Sequence, residues 1–252
     1  MGALLGGIDS PTRDLNHHNH QRQHHRNRHH HAGASEGEVM AQLLLIHHAL
    51  GLTHAVRRLA GAWRDAGHEV SLPDLYDGNV FETIPEGLAY ANSVGSESLS
   101  AKGEDAAGDL APGFIVCGIS MGVIPAMRIG VSDDAVNGVV AVGSCLPGEF
   151  LEAPWPRSVP LRIIASKDDP FFRDEGDLEA AQELVATAAD VRLKLMPGTE
   201  HLFMEASDPL SRAATERLYE VVLRMLEKAD SLKPDSAEEE NEDGDDLVWD
   251  LP

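Results

Sequence analysis

Along the middle of the chain, short and wholly apolar runs alternate with longer stretches in which apolar residues recur every three or four positions. Leu43-Leu44-Leu45-Ile46 is a run of the first kind, and its freedom from polar interruption is what a strand buried on both faces of a parallel sheet requires. Thr53 then stands where an N-cap belongs, Val56, Leu59, Ala60 and Trp63 share one helical face, and Gly67 supplies the stop. The same reading predicts strands over 68–72, 113–117, 139–142, 161–165 and 191–196, with helices over 121–129 and 178–188. A last helix is predicted to open at Asp208-Pro209, where Asp caps, Pro fits the first turn, and Leu210, Ala214, Leu218, Val221, Val222 and Met225 mark the buried stripe. Strands separated by helices at this spacing predict one α/β domain, a mostly parallel sheet with right-handed crossovers and helices on both faces. In such folds the ligand site lies beyond the carboxyl ends of the strands.

The flanks differ from this core. Residues 1–38 hold eight of the thirteen histidines with four arginines and four acids, and almost no large apolar side chain, so they are expected to stay disordered. A His-rich tract takes up divalent metal in solution, but no spacing here defines a coordination geometry, and no metal or organic cofactor is expected. Met40 immediately precedes the first strand and offers an alternative start of translation, which would leave residues 1–39 out of the native protein. From Asp230 onward there are ten acids and one lysine, and residues 229–252 read as a disordered acidic tail. Its last apolar stretch, Leu247-Val248-Trp249-Asp250-Leu251, resembles a short acidic-hydrophobic docking peptide, with chance composition as the plainer reading. The folded domain is therefore expected over 39–228.

The formal charge of −22 on 252 residues would be repelled by phosphate surfaces, which argues against nucleic acid or an anionic membrane as partner. No stretch approaches the roughly 18 apolar residues of a membrane span, and the first residues lack the pattern of a secretory signal, so a cytoplasmic protein is expected. Cys117 and Cys145 sit in apolar segments and are expected to be reduced. Nothing in the sequence speaks to oligomeric state.

Chemistry concentrates at three places. Gly118-Ile119-Ser120-Met121-Gly122 follows an apolar strand and precedes a helical pattern, the context of a nucleophile elbow. Side chains at the two flanking glycines would collide with neighbouring elements, Ser120 would stand at the tip, and the Met121 N–H would face a developing oxyanion. A serine hydroxyl needs a base to take its proton and a third group to orient that base. The chain supplies both in order: Ser166-Lys167-Asp168-Asp169-Pro170 after the fifth strand and Pro197-Gly198-Thr199-Glu200-His201 after the sixth. Asp169 is preferred over Asp168 as the acid, because Pro170 sets the turn after it and Phe171-Phe172 can pack beside the site. Asp174 and Asp177 read as turn and helix N-terminal residues, and His54 and His68 have no evident partner. Cys117, three residues before Ser120, reads as an inward strand cysteine. The second oxyanion donor is expected from His47-His48-Ala49-Leu50-Gly51, with Ala49 N–H as the donor. His48 is either a functional neighbour of the site or a residue bonding its own loop.

Taken together, Leu44 to Thr53, Pro73-Asp74-Leu75-Tyr76, the elbow, Asp169-Pro170-Phe171-Phe172 and Gly198 to Phe203 resemble the dienelactone hydrolase family of the α/β-hydrolases, in that family's order and across about residues 41–203. The resemblance implies an α/β-hydrolase fold with Ser120 as nucleophile, Asp169 as acid and His201 as base, acting on a small ester, lactone or thioester. Three positions depart from the named dienelactone enzymes: Ser120 stands for a cysteine, His48 for a glutamate, and Glu205 for an arginine that holds the substrate carboxylate. A glutamate there repels that carboxylate. Two other classes remain open: an idle α/β-hydrolase-fold binding protein, and a metal-binding protein acting through the His-rich arm.

Overall fold

The computed structural model describes residues 40–232; the His-rich segment, the residues upstream of Met40 and the acidic stretch from 233 lie outside the described residues. Six strands, β1 (Gln42–Ile46), β2 (Glu69–Ser71), β3 (Phe114–Ile119), β4 (Val136–Val142), β5 (Leu161–Ser166) and β6 (Val191–Met196), form one sheet in the order β2-β1-β3-β4-β5-β6. Every adjacent pair is parallel. The strand period of two divides the apolar runs between two cores. Leu44, Ile46, Val116, Ala141 and Ile163 face one side, and Leu43, Leu45, Cys117, Val140 and Ile164 the other.

Helices α1 (His54–Asp65), α2 (Ile84–Val94), α3 (Ser96–Asp105), α4 (Val123–Ser132), α5 (Pro170–Asp174), α6 (Asp177–Thr187) and α7 (Pro209–Ser231) fill the connections. Side chains of α3, α4 and α6 cover the first face, and those of α1 and α7 the second. The caps are the expected ones: the Thr53 hydroxyl accepts from Val56 N–H, and Asp208 accepts from Leu210 and Ser211 N–H. On α7, Leu218 and Val222 are fully buried. Each such side chain contributes about 1.5–3 kcal/mol by leaving water, which anchors the helix across the sheet.

One feature differs from the sequence expectation. The acidic tail does not begin at 229, because Leu226 and Ala229 are buried and α7 continues through Ser231. Asp230 is tied into the domain, accepting from Ala41 N–H and lying 3.8 Å from His68 Nδ1. Residues 77–112 form α2, α3 and a helical turn over Ala106–Asp109.

Register aligns the strand ends: Ile46 pairs with Gly118, Ile119 with Val142, and Ser166 with Met196. The loops that leave β1, β3, β5 and β6 therefore issue from one rim, although their residues are far apart in sequence.

Candidate active site

Strand β3 delivers Ser120 directly into a helical turn over Ser120–Gly122 that leads into α4. Ser120 adopts φ 49°, one of two described non-glycine residues with positive φ. Such a conformation costs of order 1–3 kcal/mol and persists only where the surroundings enforce it. The flanking glycines enforce it by allowing close approach. A Cβ on Gly118 would lie 2.3 Å from Gly122 O, and one on Gly122 would lie 2.5 Å from Ile46 O. Both expected collisions are present.

Ser120 Oγ lies 2.8 Å from His201 Nε2, and His201 Nδ1 lies 2.7 Å from Asp169 Oδ2. With a carboxylate on Nδ1, that nitrogen carries the proton and Nε2 accepts the serine hydroxyl. Asp169 is fully buried and also caps α5, its Oδ1 accepting from Phe171 N–H at 3.0 Å. Asp168 points away, half exposed, and pairs with Arg173 at 3.3 Å. The structure thus brings Ser120, His201 and Asp169 together and leaves Asp168 outside the chain of bonds. The acid and histidine loops are laced to each other: Asp168 N–H donates to Gly198 O at 3.0 Å, and Ser166 Oγ donates to Glu200 O at 2.7 Å. The Phe171 ring lies against the His201 ring with centroids 4.8 Å apart.

The loop after β1 is held by its two histidines. Leu75 N–H donates to His47 Nε2 at 3.0 Å, and His47 Nδ1–H donates to His48 O at 2.8 Å. Burial lowers the His47 pKa to about 4, and these two bonds suit the neutral ring. Leu50 N–H donates to His48 Nδ1 at 3.3 Å, so the His48 Nε2–H donates to Glu205 Oε1, 3.0 Å away. His48 therefore bonds its own loop and also reaches Glu205, four positions past His201. Two positions that depart from the dienelactone enzymes, 48 and 205, are in contact with each other. Thr53 Oγ1 also donates to Glu205 Oε1. Burial alone would raise the Glu205 carboxyl, but the bonds from His48 and Thr53 outweigh it and hold the group below the ordinary carboxylate range. Gly51, at φ 86°, makes the tight return, since a Cβ there would meet Asn79 O at 2.4 Å.

Three contacts escaped the sequence reading. Gly87 sits inside α2, where a Cβ would lie 1.9 Å from Ala49 O, so only glycine lets α2 rest against the loop carrying Ala49. The only hint was a glycine within a helical stretch. Asp177 stands at the helix N-terminus as expected, but it is also 2 % exposed, and its Oδ1 accepts from Ser144 Oγ at 2.5 Å and Cys145 N–H at 2.7 Å, tying α6 to the loop after β4. Burial pushes its carboxyl above the usual range against those two bonds. His54, finally, has a partner, Arg58, at 3.1 Å. Both cysteines are buried free thiols whose pKa burial raises, so Cys117 is packed strand interior.

Beside His201 opens a cleft of about 320 Å³, walled by Leu50, Ile84 and Phe171 and by the carboxylates of Glu82, Glu200 and Glu205. No described lysine or arginine lines it. Among the described residues, no three His, Cys, Asp or Glu side chains converge as a metal site needs, and no helix is long and apolar enough to cross a membrane.

This sheet order, with a serine elbow and an acid and a histidine on later loops of the same rim, defines an α/β-hydrolase fold. Solved structures similar to the chain include m3DLH, at 15 % identity over 77 % of this chain and 88 % of that one with a TM-score of 0.60. A dienelactone hydrolase-like promiscuous phosphotriesterase, P91, from metagenomic libraries is similar at 13 % identity over 75 % and 88 % of the two chains, TM-score 0.56. So is the thioesterase domain from the curacin biosynthetic pathway, at 16 % identity over 74 % and 92 %, TM-score 0.52. No curated protein matches the sequence. The chain belongs to the dienelactone hydrolase family, which it matches over residues 32–229, and so stands among hydrolases of ester-type substrates.

Proposed function

We propose that the protein hydrolyses a small ester, lactone or thioester through a Ser120-His201-Asp169 triad. Ser120 Oγ attacks the carbonyl carbon as its proton passes to His201 Nε2. Asp169 holds the ring in the tautomer that can accept and stabilises the imidazolium that forms. The tetrahedral oxyanion is received by the N–H groups of Met121, in the turn that leads into α4, and Ala49. His201 returns the proton to the leaving group, and water then repeats the sequence to release the acid and restore Ser120. No step needs a cofactor.

One observation carries this reading: two consecutive short bonds, 2.8 and 2.7 Å, run from a strained serine through a histidine to a buried carboxylate. The acidic cleft favours neutral or cationic substrates over a carboxylate-bearing dienelactone. A panel of short acyl esters, lactones and thioesters, assayed with the native chain and with Ser120→Ala, tests it, alongside labelling by a fluorophosphonate. Turnover and labelling that both vanish in Ser120→Ala support the proposal. A native chain that neither turns over the panel nor takes the label refutes it and leaves a binding role for the fold.

A further inference from the structure

A second concavity, larger than the cleft at the rim and of about 510 Å³, lies where α7 passes β5 and the edge strand β6. Its floor is apolar, formed by Ile164, Val221, Met225 and the terminal Leu232. Cations stand on both walls: Arg162, Arg192 and Lys194 from the strands, Arg217, Arg224 and Lys228 from α7. These six are a large share of the fifteen lysines and arginines in the described region of a chain whose formal charge is −22, and no described acid lines the groove. Nearby carboxylates neutralise the cluster only in part. Asp190 serves Arg162 at 2.9 Å and Arg192 at 3.7 Å, while Glu220 serves Arg217 at 2.9 Å and Arg224 at 3.3 Å. Arg192 and Arg224 remain 77 % and 64 % exposed. Concentrating cations around an apolar floor on an acidic protein costs self-repulsion in the free groove and creates a surface for an acidic, partly apolar ligand.

We propose that the occupant is the chain's own acidic segment, residues 238–251. Three observations select it. Leu232, which lines the groove, is the last described residue, so the chain that leads to the segment leaves from the groove. Its composition is the complement of the walls and floor: Glu238, Glu239, Glu240, Glu242, Asp243, Asp245 and Asp246, followed by Leu247, Val248 and Trp249. Length is also sufficient. The cations of α7 run from Arg217 to Lys228, about 16 Å at 1.5 Å per helical residue. The fifteen residues from Leu232 to Leu247 reach up to about 50 Å when extended. The acids then lie among the six cations and Trp249 covers the floor. A tether this short gives an effective concentration in the millimolar range, so even a weak peptide interaction is held closed. The docking-peptide look of the last residues has a receptor within the same molecule.

Carbodiimide coupling of the full-length protein at micromolar concentration, followed by peptide mass spectrometry, tests this. Isopeptide bonds from Lys194 and Lys228 to acids within 238–246 are expected, at least fivefold above those from Lys102 and Lys167, which lie elsewhere. The enrichment should disappear in 1 M NaCl, an arm that needs no substitution, and in the double variant Arg192→Glu, Arg224→Glu, whose sites are exposed. Acrylamide quenching gives a second readout, because Trp63 and Trp155 are buried: the double variant should be quenched more than the native chain. Equal coupling from all four lysines, or quenching unchanged by charge reversal, overturns the proposal. Bonds that join labelled to unlabelled copies in an isotopic mixture also overturn it, by giving the groove to a second copy's tail.

Discussion

Replacing Asp169 by Asn changes one atom of the buried contact to His201 and leaves the fold's other use of that side chain in place. Oδ1 caps α5 through Phe171 N–H at 3.0 Å, and an amide oxygen can keep that bond. The amide NH₂ then faces His201 Nδ1 across the space now spanned at 2.7 Å. Two donors cannot share it, so the ring moves its proton to Nε2, which can no longer accept from Ser120 Oγ. An imidazole in the wrong tautomer costs about 10⁴ in kcat, or roughly 5 kcal/mol of barrier. Asp168→Asn supplies the internal control. That side chain is half exposed and makes a single 3.3 Å pair with Arg173, a surface interaction worth about 0–1 kcal/mol, so kcat should change by no more than about twofold. Steady-state kinetics on whichever panel substrate is fastest, with thermal melts to verify folding, compare the two. Equal losses in both variants, or a folded Asp169→Asn within tenfold of the native rate, would refute the orientation argument.

Other outcomes follow from the same contacts. Gly87→Ala drives a methyl against the Ala49 carbonyl and should displace the loop that offers the second oxyanion donor; a loss of about 10²–10³ in kcat with circular dichroism unchanged is expected. If its fluorophosphonate labelling proceeds at the native rate, α2 does not position that loop. Among matched esters with charges of +1, 0 and −1, kcat/KM should fall by about 10²-fold or more from cation to anion. Three cleft carboxylates each contribute about 0.5–1 kcal/mol at close range, and added salt should compress the series. A series flat at low salt would contradict it. His47 is neutral in the folded state down to about pH 4, whereas the unfolded chain protonates it near 6.5. The unfolded state therefore binds more protons in that window, and stability should be complete above pH 6.5 and fall by roughly 3 kcal/mol toward pH 4. Urea midpoints should show this drop in the native chain and a smaller one in His47→Gln; identical drops would assign the loss to other groups.

The strand and helix pattern was legible in the sequence because it depends on local periodicity and caps, and a buried parallel strand needs an unbroken apolar run. The elbow glycines were legible because they flank Ser120 in a local strand–turn–helix context, although the collision a Cβ on Gly122 would make is with Ile46 O of β1. The order of Ser120, Asp169 and His201 along the chain was readable too, since each follows a strand and parallel topology sends all strand ends to one rim. Contacts between distant segments were decided only by the tertiary structure. Asp168 and Asp169 are neighbours with the same chemistry, and only the lacing of the two loops buries one and exposes the other. The pairing of His48 with Glu205, the close approach of Gly87 to Ala49 and the burial of Asp177 join residues 157, 38 and 33 positions apart, distances at which no sequence period applies. The basic groove has the same origin: its cations are scattered singly over β5, β6 and α7, and crossing a helix over the edge of a sheet is what gathers them onto one surface.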